Sequence, residues 1–170
     1  MARDILKTLQ AEHDTLRELF AKMKDTTDRA VKTRDTLLQE IETNLMPHAM
    51  WEEQVFYPAF RDRADRDGQQ TYAEALAEHH AIENSVIPEV NAAELGTPEF
   101  AGRVKVFAEQ IDHHAKEEEK TMFKMARELF SAEERAQLDE DYESWKGSTA
   151  ASDLLVAQKA NAKRATQSLQ

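Results

Sequence analysis

His48-Ala49-Met50-Trp51-Glu52-Glu53 returns 66 residues later as His114-Ala115-Lys116-Glu117-Glu118-Glu119, with the histidine and both following glutamates in place. The four-residue step from His48 to Glu52, and from His114 to Glu118, puts an imidazole and a carboxylate on one helix face, one turn apart. The repeat extends outward at the same offset, because Ala11-Glu12-His13 matches Ala77-Glu78-His79. Within each half the lone histidine precedes the His-x-x-x-Glu step by 35 residues. Such a duplication reads as two helical hairpins packed about an approximate two-fold axis.

The flanking sequence agrees. Apolar residues recur at steps of three and four in four stripes: Ile5 to Met23 through His13, Leu38 to Ala59 through His48 and Glu52, Tyr72 to Val86 through His79, and Phe100 to Leu129 through His114 and Glu118. Thr97-Pro98-Glu99 is a helix start, and Ser131-Ala132-Glu133-Glu134 fits a capping box opening a short fifth helix that ends near Gly147. Pro47 is expected to bend the second helix before His48, Pro88 to kink or end the third, and Asp62–Gln70 to form a loop. The expected fold is all-α: an up-down-up-down four-helix bundle with a fifth helix over residues 1–147, then a polar tail over 148–170. The tail, with one apolar knot at Leu154-Leu155-Val156, reads equally as a loosely attached helix or as disorder.

Composition narrows the function. Four glycines and four prolines in 170 residues leave too few turn formers for a β-rich fold. A formal net charge of −11 opposes binding to phosphate backbones, so neither nucleic acid nor an anionic membrane is expected as a partner. Without cysteine there is no disulfide framework, thiolate metal site or cysteine nucleophile. The first residues lack a secretory pattern and no apolar run is long enough to span a membrane, which makes a cytoplasmic protein the expectation.

An antiparallel hairpin rising 1.5 Å per residue returns to its starting height after equal distances up and down, which levels His13 with His48 and His79 with His114. Four imidazoles and the Glu52 and Glu118 carboxylates then meet on the bundle axis. Two buried, facing carboxylates need a positive partner, and the inner stripes supply neither Lys nor Arg at that height. A metal cation is the economical answer, and mixed imidazole and carboxylate donors suit iron, manganese or zinc rather than magnesium or calcium. Two irons bridged by Glu52 and Glu118 are the natural arrangement.

Four pieces taken in order, Ala11-Glu12-His13-Asp14, His48 to Pro58 (HAMWEEQVFYP), Glu78-His79 and His113 to Phe123 (HHAKEEEKTMF), resemble the hemerythrin-like HHE cation-binding family over about residues 3–145. The resemblance implies a non-haem di-iron centre, two iron ions with a bridging oxo or hydroxo group, binding dioxygen or related small oxidants such as peroxide or nitric oxide. His13, His48, His79 and His114 would be terminal ligands, with Glu52 and Glu118 as bridges. Oxygen-carrying hemerythrins use a fifth histidine four residues after the third-helix ligand; Glu83 stands there. The family's proline ten residues after the fourth-helix histidine is Lys124 here, and Met46-Pro47 before His48 is unusual. The more open centre favours oxidant chemistry or sensing over reversible oxygen carriage. The alternatives left open are a di-iron enzyme decomposing peroxide or reacting with nitric oxide, iron storage, delivery or iron-sensitive regulation, and a metal-free interaction bundle.

Other residues have plainer readings. His80 and His113 fall beside the seam, Glu53, Glu117 and Glu119 read as solvated or as orienting partners for the histidines, and Trp51, Tyr57, Met23, Met122 and Met125 read as packing.

Overall fold

The computed structural model describes residues 3–148, 151–154, 156, 157, 160 and 167. Among the described residues all regular structure is helical: α1 (Ile5–Lys24), α2 (Val31–Trp51), α3 (Tyr57–Arg61), α4 (Arg66–Ala81), α5 (Ile87–Ala92), α6 (Pro98–Glu117), α7 (Phe123–Leu129) and α8 (Ala132–Lys146). Three π-helical turns, Glu52–Phe56, Ile82–Val86 and Glu118–Met122, join α2 to α3, α4 to α5 and α6 to α7. These helices therefore make three continuous rods, which with α1 form the four-helix bundle. Helix α8 lies along α1, where Arg135 bonds Asp4 and Tyr142 bonds Glu12.

Three of the four rods, and α8, start where the sequence supplies a side-chain cap, whereas α2 starts after Ala30 without one. Asp4, Asp65 and Thr97 accept from backbone N–H groups of the first turns of α1, α4 and α6, and the Ser131 and Glu134 side chains close the expected capping box at α8. The loop expected over Asp62–Gln70 shrinks to four residues, because Asp65 caps a helix that begins at Arg66. Gly68 sits inside that helix for a packing reason: a Cβ there would lie 2.6 Å from the Ala64 Cβ.

Helix α2 runs through Pro47 without ending, and the third rod continues past Pro88 to Ala92. In each π turn the hydrogen bond spans five residues, Tyr57 N–H to Glu52 O, Ile87 to Ile82 and Phe123 to Glu118. Pro58 and Pro88 follow directly, so the carbonyl that each ring would strike in an α-helix lies within a widened turn. The fourth rod keeps its π turn with Lys124 in that place, so proline is not what creates it.

Two apolar clusters fill the bundle. One includes Leu16, Leu45, Ile82 and Ile111, the other Leu9, Trp51, Ala75 and Met122. Every rod passes from one cluster to the other at its histidine, which leaves a polar layer between two dry cores. Of the tail, 151–154, 156, 157, 160 and 167 are helical, Ala151 is buried, and Leu154 and Val156 are exposed. Leu155, at the centre of the apolar knot, and the remaining tail lie outside the described residues. No helix among the described residues is long and apolar enough to cross a membrane.

Candidate metal centre

The layer brings all six expected residues together. His13, His48, His79, His114, Glu52 and Glu118 are each at most 5% exposed, although all six are ionisable. His13 and His48 point Nε2 at one another across 3.1 Å, and His79 and His114 across 2.9 Å. Two neighbouring ligands on one octahedral ion, with bonds of about 2.1 Å, stand roughly 3.0 Å apart. Glu52 spans the two pairs, with Oε1 3.1 Å from His48 Nε2 and Oε2 3.5 Å from His79 Nε2. Glu118 reaches both with one oxygen, Oε2 lying 3.3 Å from His13 Nε2 and 3.6 Å from His114 Nε2. Two groups of close donor atoms result, His13 with His48, Glu52 and Glu118, and Glu52 with His79 and His114.

Behind each imidazole stands a carboxylate. Nδ1 of His48 meets Glu12 at 2.8 Å, that of His114 meets Glu78 at 2.7 Å, that of His79 meets Glu53 at 2.8 Å, and that of His13 meets Glu119 at 2.9 Å. The 66-residue repeat thus covers the orienting groups as well, pairing Glu12 with Glu78 and Glu53 with Glu119. The orienting role read for Glu53 and Glu119 holds; Glu117 is exposed, and Glu12 and Glu78 carried no assigned role although they directly precede the lone histidines.

These contacts settle what the layer lacks. A carboxylate only accepts, so each Nδ1 is the protonated nitrogen and the Nε2 lone pairs face one another and the two glutamates. Both oxygens of Glu52 and Oε2 of Glu118 are buried without a hydrogen-bond donor. Six acceptors converging in a water-poor layer require positive charge at the middle. Protons supply it when no metal does: burial opposes charging His48, yet Glu52 and Glu12 outweigh it and push the group up to about 10. His114 shifts in the same direction, against burial, through Glu118 and Glu78. Glu118, despite its burial, is held well below the usual carboxylate range by His114 and His13.

Tyr57 corrects the packing-only reading. Its hydroxyl donates to Glu118 Oε1 at 2.7 Å and lies 3.1 Å from His79 Nε2 and 3.4 Å from His114 Nε2. Burial, then Glu118, push its ionisation well above the ordinary phenol value. The repeat partner of Tyr57 is Phe123, whose ring stacks 6.0 Å from His13. That mismatch was visible in the sequence, as a hydroxyl-bearing ring five residues after the ring glutamate in one half and a bare phenyl ring in the other. Trp51 does pack, against Tyr142 and Trp145. His80 is exposed and His113 touches Glu78 from the surface. A cavity of about 270 Å³ opens on the layer, walled by Leu16, Leu45, Ile82 and Ile111. Glu83 lines it, half-buried, outside both groups of close donor atoms.

Fold and layer together define a helical-bundle protein with a buried, acceptor-rich pocket of the kind that holds metal cations. The hemerythrin HHE cation-binding domain model matches residues 4–126, and the chain belongs to that family, a metal-binding, iron-type one. It is similar to a solved hemerythrin HHE cation-binding domain-containing protein, the Rv2633c homolog from Mycobacterium kansasii, with a TM-score of 0.77, 20% identity and 96% of each chain covered. It is also 26% identical over 144 residues to a DNA nickase from Nostoc sp. (strain PCC 7120 / SAG 25.82 / UTEX 2576). The match takes in 84% of this chain and 39% of that relative's length.

Proposed function

We propose that His13, His48, His79, His114, Glu52 and Glu118 hold two iron ions with a bridging oxo or hydroxo group, and that the centre binds or senses dioxygen or a related small oxidant. The observation that carries this reading is the set of undonated Glu52 and Glu118 oxygens facing paired Nε2 atoms. Bound iron would supply reversible one-electron chemistry toward such molecules. The chain's own residues do the rest. Glu52 links the two histidine pairs, the outer glutamates fix the imidazole tautomers, and the two apolar clusters keep bulk water from the layer. Leu16, Leu45, Ile82 and Ile111 give a small uncharged molecule a path to the histidines, and the Tyr57 hydroxyl places a proton donor beside them.

Residues 1–147 form one unit in this reading, since α8 reaches the centre through Glu12, and 148–170 are a tail. In the same reading the chain acts in the cytoplasm and, with its charge of −11 opposing phosphate backbones, without nucleic acid; nicking by the longer relative is not transferred.

Metal content per chain and the optical spectrum of the aerobic protein test the ligand set. Iron is expected in the unaltered chain and lost in His13→Ala and Glu118→Ala; unchanged iron in both overturns the assignment. Oxygen handling is tested on the reduced, iron-loaded chain. An adduct that forms and then decays without returning oxygen under vacuum fits oxidant chemistry or sensing, reversible release makes the chain a carrier, and steady oxygen evolution from peroxide in proportion to iron makes it an enzyme.

A further inference from the structure

The carboxylates behind the four histidines are alike, but what stands behind those carboxylates is not. Glu12, which holds His48, takes Lys146 Nζ on Oε1 at 2.9 Å and the Tyr142 hydroxyl on Oε2 at 2.9 Å. Glu119, which holds His13, accepts from Arg17 Nη1 at 2.9 Å on the same oxygen that meets the ring. In the other half Glu78 has the exposed His113 at 3.3 Å, and among the described residues neither Glu78 nor Glu53 pairs with Lys or Arg. Lys146 and Tyr142 belong to α8, beyond the residues matched by the family model.

We propose that Lys146 and Arg17 act as positioning residues that make the His13/His48 metal position the more easily reduced of the two. The inference rests on the ligand assignment above. A carboxylate drawing on Nδ1–H makes an imidazole a stronger donor, and strong donors favour the higher oxidation state of a metal. A cation on that carboxylate withdraws the effect. Lys146 and Arg17 also bring positive charge near this position, offset in part by Glu143, Asp14 and Asp112, so removing either cation acts with the same sign as the loss of its pull on the carboxylate. Lys146 is firmly anchored, because its nitrogen bridges Glu12 and Glu143 and lies over the Tyr142 ring, itself packed on Trp51.

The test is a mediated redox titration of the iron-loaded full chain, followed by optical absorption and by the paramagnetic signal of the half-reduced centre. Two separate one-electron steps are expected in the unaltered protein. Lys146→Met lowers the upper potential and narrows the gap, and Lys146→Arg restores it. His113→Lys, at an exposed site, gives Glu78 a cation and narrows the gap from the other side by raising the lower potential. A single step in the unaltered chain, or a gap that neither Lys146→Met nor His113→Lys moves while iron content stays full, overturns the proposal. His48→Ala separates the two failures: if it leaves iron content intact, the ligand assignment falls instead and this inference with it.

Discussion

The half of the molecule around His13 and His48 and the half around His79 and His114 agree on the axis and diverge with distance from it. Histidines, bridging-type glutamates and orienting carboxylates all obey the 66-residue repeat, the ring through helical spacing and the orienting groups by reaching histidines on neighbouring helices. Around that set the halves part, with Phe123 against Tyr57 directly beside the ring and, one side chain further out, Lys146 and Arg17 against His113. The inner set answers to one electrostatic demand shared by both halves. The outer set answers to neighbours, and only one half has α8 beside it. Symmetry in this protein is therefore a property of the acceptor ring, and each half can be tuned from outside without moving it.

The largest effect should separate the two glutamates that the repeat makes equivalent. Both oxygens of Glu52 lack donors, whereas Glu118 has one oxygen satisfied by Tyr57. In metal-free protein, Glu52→Leu takes away the carboxylate that holds the buried His48 proton and is expected to lower stability by about 3–5 kcal/mol while abolishing iron binding. Glu118→Leu also abolishes iron binding and, besides its histidine partners, takes the closest acceptor from the Tyr57 hydroxyl, adding about 0.5–1.5 kcal/mol, so its loss should be the larger. Urea unfolding of the two metal-free variants checks the difference; equal losses would show that Tyr57 does not distinguish the halves.

A smaller effect follows from the tyrosine itself. Tyr57→Phe makes the halves match and removes a hydrogen bond to a carboxylate, which should lower metal-free stability by about 1.5–3 kcal/mol. Iron content should stay full, because the hydroxyl is not among the six assigned donors. If iron is lost with Tyr57→Phe, the phenol belongs in the ligand set and the second position is the less histidine-dependent one.

Proton competition sharpens the comparison further. With His48 at about 10 in the folded protein against 6.5 for an unperturbed group, its proton stabilises metal-free protein most fully below pH 6.5 and that contribution fades as pH rises through 10. Metal must displace this proton, so zinc, used as a redox-silent probe, should bind more tightly as pH rises across that window. The gain is at most about tenfold per pH unit for each proton released. Calorimetry in buffers of different ionisation enthalpy counts the protons; none released at neutral pH would contradict the upward shift.

The sequence made the bundle and the acceptor ring legible because both depend on spacing. Steps of three and four put His13, His48, His79 and His114 on inner faces, and the repeat set their heights. Residues whose role depends on tertiary neighbours were harder to see. Glu12 and Glu78 orient histidines on other helices, Tyr57 reads like any aromatic before a proline, and Lys146 lies 134 residues from its partner Glu12. Asp62–Gln70 read as loop because Gly68 punctuates it, whereas that glycine marks close contact with Ala64 inside a helix. The π turns left no signal in apolar periodicity, since each adds a single residue to one turn.

Those turns carry the smallest expected effect. Pro58 and Lys124 occupy matching places, second in α3 and second in α7, each directly after a π turn that begins at a glutamate of the ring. Proline inside a regular helix costs about 3 kcal/mol, from a lost hydrogen bond and a clash with the carbonyl four residues earlier. For Lys124→Pro that carbonyl belongs to Lys120, within the widened turn Glu118–Met122, as Gln54 is for Pro58. The substitution should therefore cost less than about 1 kcal/mol in metal-free unfolding, well under the interior penalty, and leave iron content unchanged. A cost near the full helical penalty would mean that the two turns differ in backbone geometry, and that the match between halves stops at the side chains of the acceptor ring.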